Sequence, residues 1–182
     1  MKFTEKIMGI VSQAVKVYND LTEQRRDIQR KFAEDKLSQS VYRSLLDSVN
    51  EQIDENYKYA RKNIEAVRRS YKTVVEANSL VTGDMLSEDA KLLELPVELT
   101  PEQFDNLVGK HRGNPLMCNL LRLYMKNHPN KYEAYLPTTE QKIADFSGFC
   151  EAATVAVKEP DTLQAAFFLD GKYIPVSATE SC

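Results

Sequence analysis

Apolar residues in the first part of the chain recur at Phe3, Ile7, Ile10, Ala14, Val17 and Leu21, at intervals alternating between four and three. That alternation is the heptad signature of a helix packed lengthwise on another helix. A second stripe, Met8, Val11, Val15 and Tyr18, runs beside the first. Together the two make an apolar face too broad for one neighbour. Beyond Leu21 only Ile28 and Phe32 continue the first stripe, and Arg25, Arg26 and Gln29 replace the second. The first half of this helix is therefore predicted to sit between at least two neighbours, and the second half against one.

A break falls at Asp35-Lys36-Leu37-Ser38, where the Ser38 hydroxyl can cap the next helix by accepting a free backbone N–H. The following stripe is Leu45, Leu46, Val49, Ile53, Tyr57, Ala60, Ile64, Val67, Tyr71, Val74 and Asn78. Two successive intervals of four between Val49 and Tyr57 form a stutter, which relaxes supercoiling locally. Gly83 is predicted to stop the helix in the left-handed conformation. Helices over 4–36 and 39–81 would be about 50 and 64 Å long and fold back antiparallel.

Residues 84–102 are acidic, with Asp84, Glu88, Asp89, Glu94, Glu98 and Glu102 against Lys91 alone. A short helix from Ser87 to Glu94, stopped by Pro96, is expected there. Thr100-Pro101 and Asn114-Pro115 each read as a cap followed by proline in the first helical position. They open helices over 101–111 and 114–127. Phe104, Leu107 and Val108 are the buried side of the first; leucine and methionine cover most of the second. A further helix, about 138–157, carries Ile143, Phe146, Phe149 and Cys150 on one side. Ala144, Gly148, Ala152 and Ala156 form a small-residue ridge on another. Glu140, Lys142, Asp145 and Glu151 make that ridge a packing feature of a core rather than of a membrane. Asp161-Thr162-Leu163-Gln164 reads as a capping box for a last helix closed by Gly171. Phe167–Ile174 alternatively reads as a hairpin about Asp170-Gly171. The helix is preferred, because no other strand is available for pairing.

The expected fold class is therefore all-α: a long antiparallel helical hairpin, a coiled-coil-like arm, followed by a small C-terminal helical bundle. The expected boundaries are 1–83 for the hairpin, 84–100 for an acidic linker and 101–182 for a C-terminal helical domain. Composition agrees. Of 182 residues 42% are hydrophobic and 28% charged, enough apolar material for a core. No proline precedes Pro96, and only Gly9 and Gly83 interrupt that stretch, as long helices require. The net charge of −3 gives no general drive towards nucleic acid or anionic lipid. The first residues lack the apolar core of a secretion signal, no apolar run is of membrane-spanning length, and three scattered cysteines suit a reducing compartment. The expected location is cytoplasmic.

Candidate chemistry is sparse. Cys118 with His111 or His128 is the sole nucleophile pair, yet Cys118 lies among leucines, where a thiol behaves as a buried hydrophobe. Neither histidines nor cysteines have metal-ligand spacing, and Asp47, Glu51, Asp54 and Glu55 read as a solvated helix face. No Gly-rich phosphate loop is present. No catalytic residue, cofactor or metal is predicted. Lys58, Arg61, Lys62, Arg68, Arg69 and Lys72, opposed within their span by Glu65 alone, could contact phosphates. Neutralisation by the acidic segment 84–102 is preferred over that role. The pair 101–111 and 114–127 mimics a helix-turn-helix, but its second helix is too apolar to read bases.

The run Leu99-Thr100-Pro101-Glu102-Gln103-Phe104, through Lys110-His111-Arg112-Gly113-Asn114-Pro115, to Leu121-Arg122-Leu123-Tyr124 resembles uncharacterised helical proteins encoded by tailed phages and prophages. The resemblance covers about thirty residues, the length of about eight turns of helix. It implies a virion-assembly or accessory role and brings no catalytic residues. The function expected is thus a non-enzymatic assembly or interaction protein, binding a protein partner or itself through Met8, Val11, Val15 and Tyr18. The alternative is a nucleic-acid-binding module using the 58–72 stripe.

Overall fold

Most helix starts in this chain are set by side chains that accept the first free backbone N–H groups. Ser38 Oγ lies 3.5 Å from Val41 N. Thr100 and Gln103 form a reciprocal capping box, and Thr138 and Gln141 form another. Asn114 Oδ1 accepts from Met117 N at 3.1 Å. These caps open four of the helices in a computed structural model of the chain, which describes residues 2–95 and 98–172. In order, the elements are α1 (Phe3–Ala33), α2 (Gln39–Asn78), a 3-10 turn (Gly83–Met85), α3 (Ala90–Glu94), α4 (Pro101–His111), α5 (Pro115–Asn127), α6 (Thr139–Lys158) and α7 (Leu163–Leu169). The fold is all-helical, with no strand among the described residues.

Two helix ends share one device. After α1, Asp35 takes a left-handed φ of 56°; Asp35 N donates to Phe32 O and Lys36 N to Lys31 O, both at 3.0 Å. After α7, Gly171 takes φ 73°, with Gly171 N bonded to Phe168 O and Lys172 N to Phe167 O. Both are Schellman motifs, in which a left-handed residue lets two N–H groups satisfy orphan carbonyls of the last turn. Phe167–Leu169 are thus helical rather than one arm of a hairpin, and Tyr173 and Ile174 lie outside the described residues. The last helix is capped one residue later than the sequence suggests, by Thr162 accepting from Ala165 N. Gly83 plays no stop role. Helix α2 ends at Asn78, where Ser79 Oγ donates to Glu76 O, and Gly83 opens the 3-10 turn with no left-handed φ.

Packing divides the described residues into two compact units. Those up to Tyr71 together with those from Ala144 on form the first, and Lys72–Ile143 form the second. The divisions fall inside α2 and α6 rather than at residues 83 and 100. The reason is that the large residues of α6 join the seam of α1 and α2. In the first unit Phe3 meets Tyr71 edge-on at 5.4 Å, Tyr71 stacks on Phe146 at 4.0 Å, and Phe146, Phe149 and Phe168 continue the chain of rings. Phe32 stacks on Tyr42 at 4.1 Å, and Asn56 Nδ2 donates to Ala14 O at 2.9 Å. Contacts 3 to 71, 14 to 56 and 32 to 42 run in opposite senses, so α1 and α2 pair antiparallel. The buried seam is Ile7, Val11, Ala14 and Leu21 on α1 and Val49, Ala60, Ile64 and Tyr71 on α2. From Glu23 to Ser48 no residue is fully buried.

The small-residue ridge of α6 does not form. Ala144 and Gly148 are exposed and nothing lies within 4 Å of a Cβ built on Gly148; of the four, Ala152 is partly buried and Ala156 alone is fully buried, beside Ala153. In the second unit, Leu99, Phe104, Leu107, Val108, Cys118, Leu121, Tyr124, Tyr132 and Leu136 make the core. Two tyrosines tie the strap before α4 into it: Tyr132 OH donates to Leu99 O at 2.6 Å, and Leu99 N donates to Tyr124 OH at 3.0 Å. Helix α5 packs on α3, α4 and the 3-10 turn, but not on every side, since Leu123 is 55% exposed. Val75 is buried where the seam of α2 predicts Val74.

Candidate functional site

The apolar stripe on α1 is covered from within the chain. Val11 has no exposed surface, and Met8, Val15 and Tyr18 are half-buried. Helix α7 packs on α1, and Tyr18 OH donates to Asp161 Oδ2 at 3.0 Å. The breadth of this face, set by its sequence, is matched by α7 in the same unit. These four residues therefore do not present a bare patch.

Helix α2 shows the opposite. Its outer face carries Asp47, Glu51, Asp54, Glu55, Lys58, Arg61 and Lys62, all exposed and all within about a third of the circumference at 100° per residue. Further along, charges are paired inside the helix. Glu65 bridges Arg68 at 2.9 Å and Arg69 at 3.3 Å, and Lys72 lies 3.7 Å from Glu76. Burial on its own pushes the Glu65 carboxyl up; the hydrogen bonds from Arg68 and Arg69 outweigh it and hold the group below the usual carboxylate range. Neutralisation of the stripe thus runs along α2. The acidic segment is held by its own unit. Asp89 pairs with Lys110 at 2.6 Å and with His111 Nε2 at 2.7 Å, and Glu98 pairs with Lys131. Sequence order alone does not reveal these partners, because Lys110 and Lys131 belong to later elements.

Lys58, Arg61 and Lys62 have no ion-pair partner among the described residues, and neither do Asp47, Glu51, Asp54 and Glu55. Within the basic set, between Lys58 and Arg61, Tyr59 stands 70% exposed. No interval in the sequence marks it, because it falls on neither the apolar seam nor the charged face of the helix.

Cys118 and Cys150 sit in buried surroundings. Cys118 Sγ donates to His111 O at 3.3 Å and to Arg112 O at 3.5 Å and is buried in the core of its unit. The His111 ring is turned to Asp89, and His128 Nδ1 donates to Tyr124 O at 2.9 Å. Burial pushes the Cys150 thiol up to about 12. Among the described residues no group of His, Cys, Asp and Glu is arranged to hold a metal ion. No helix among them is long and apolar enough to cross a membrane. No known family model, curated protein or solved structure matches the chain.

Proposed function

We propose that this chain works by protein–protein contact, as a non-enzymatic helical assembly module acting through the arm made by the paired α1 and α2. One observation carries the reading. From Glu23 to Ser48 the chain is helical apart from the five-residue turn, yet no residue there is fully buried. About 16 Å of helix pair on each side of that turn adds little to either core. A segment ordered with so little burial of its own has surface to offer a partner. The resemblance of 99–125 to helical proteins of tailed phages supports a virion-assembly or accessory setting. The alternative, nucleic-acid binding by the 58–72 stripe, is left with Lys58, Arg61 and Lys62 unpaired beside four carboxylates, a weak footprint for a polyanion.

Photo-crosslinking amino acids placed at Ser44 and at Tyr59, both exposed on α2, test this reading in cells. Discrete protein adducts are expected at one or both positions. Adduct-free chain at both would contradict a contact role for the arm.

A further inference from the structure

We infer that the outer face of α2 pairs with the same face of a second copy of this chain, antiparallel, the acidic half of each helix against the basic half of the other. This rests on the protein-contact reading above and names the partner.

The face is segregated by charge. Asp47, Glu51, Asp54 and Glu55 occupy one stretch, and Lys58, Arg61 and Lys62 the next, at helical spacings of three and four and with all seven side chains exposed. Further along α2, Glu65 pairs with Arg68 and Arg69 and Lys72 with Glu76 within the helix, while Arg43, one turn before Asp47, is exposed and in no ion pair among the described residues. These seven form none among the described residues, although Asp54 and Lys58 have the i,i+4 spacing that permits one. A two-fold axis between Asn56 and Tyr57 sets Lys58 opposite Glu55 and Lys62 opposite Glu51. Arg61 then falls within a turn of Glu51 and Asp54. Symmetry makes each pair twice, as in any two-fold interface, where one patch meets itself. A parallel, in-register pair would set acid on acid and base on base, so the charge order selects the antiparallel arrangement.

Exposed ion pairs fix register and add little affinity. Tyr59, 70% exposed, flanks this face one residue after Lys58 and adds an aromatic contact beside the ion pairs. The resulting dimer is weak and sensitive to salt.

Sedimentation of the full chain tests it. Dimer is expected in about 50 mM salt, with the dissociation constant at least ~10-fold higher in about 0.5 M salt, where charges are screened beyond ~4 Å. The triple variants Lys58→Glu/Arg61→Glu/Lys62→Glu and Asp47→Lys/Glu51→Lys/Glu55→Lys should each sediment as monomer, with helical circular dichroism retained. Mixed one to one they should form a heterodimer within about threefold of the wild-type constant, since the reversed charges again complement. Wild type that stays monomeric in low salt, or a mixture that does not associate, overturns the proposal. So does a monomer retained on heparin through Lys58, Arg61 and Lys62, which assigns the stripe to a polyanion. A crosslinked adduct at Tyr59 containing a different protein and no second copy removes self-pairing while leaving the contact role standing.

Discussion

The Thr22 hydroxyl is buried, on a residue only 7% exposed, and has no hydrogen-bond partner among the described residues. A buried hydroxyl left unpaired forfeits its bonds to water without replacement. Thr22→Val keeps the shape and removes the group, so it should raise stability by about 1 kcal/mol, read as a higher urea midpoint at unchanged slope. A lower midpoint would show that the hydroxyl is satisfied. Nothing in the heptad pattern points to this residue. The pattern marks Leu21 as the seam, and a threonine one position on looks like the start of the polar face. It is buried because the unit closes around the middle of α1, and a pattern of intervals does not record how wide a neighbour will be.

At the scale of elements, local chemistry was legible and distant packing was not. Ser38, Thr100 and Asn114 announce their helices because a cap needs only the next three residues. The ridge at Gly148 and the stop at Gly83 failed because both presume a neighbour or a conformation that the local sequence does not impose. Val75 displaces Val74 for a similar reason, since the last turns of α2 belong to the second unit and answer to its packing. The two Schellman turns allow a direct comparison. Asp35 and Gly171 both sit at positive φ, where a side chain strains the backbone and glycine does not. Asp35→Gly should therefore raise the unfolding free energy by ~0.5 kcal/mol, and Gly171→Ala should lower it by ~1 kcal/mol. Thermal unfolding of the two variants should shift in opposite directions, and shifts of the same sign would contradict this account.

For the whole molecule, the sequence made the helical class plain, because proline-free heptads leave few alternatives, but not the division into units. Contacts such as Phe3 with Phe146 join residues far apart in the chain, and no local interval encodes them. The charge map shows the same limit: the signs were legible and the pairings were not. Hydrogen bonds from Lys110 and then His111 hold the Asp89 carboxyl below its ordinary 3.8, and Lys131 holds Glu98 below 4.5. A carboxyl lowered by folding contributes stability that is fully present above its unfolded value and is lost as pH falls through the folded one. Asp89→Asn should thus lower the urea midpoint at about pH 6 and cost progressively less below about pH 4. An equal loss at both would mean that Asp89 acts through shape, not charge.

The left-handed turn at Asp35 also sets an order of assembly. It closes a loop of five residues, so Phe32 and Tyr42 meet after the least possible search, and the helix pair can zip from that end inward. The rings of Phe3, Tyr71 and Phe146 lie at the far end of the zipper and wait for α6. During synthesis the hairpin can therefore form once both its strands of helix have left the ribosome, and the aromatic ladder closes only when the later part of the chain arrives.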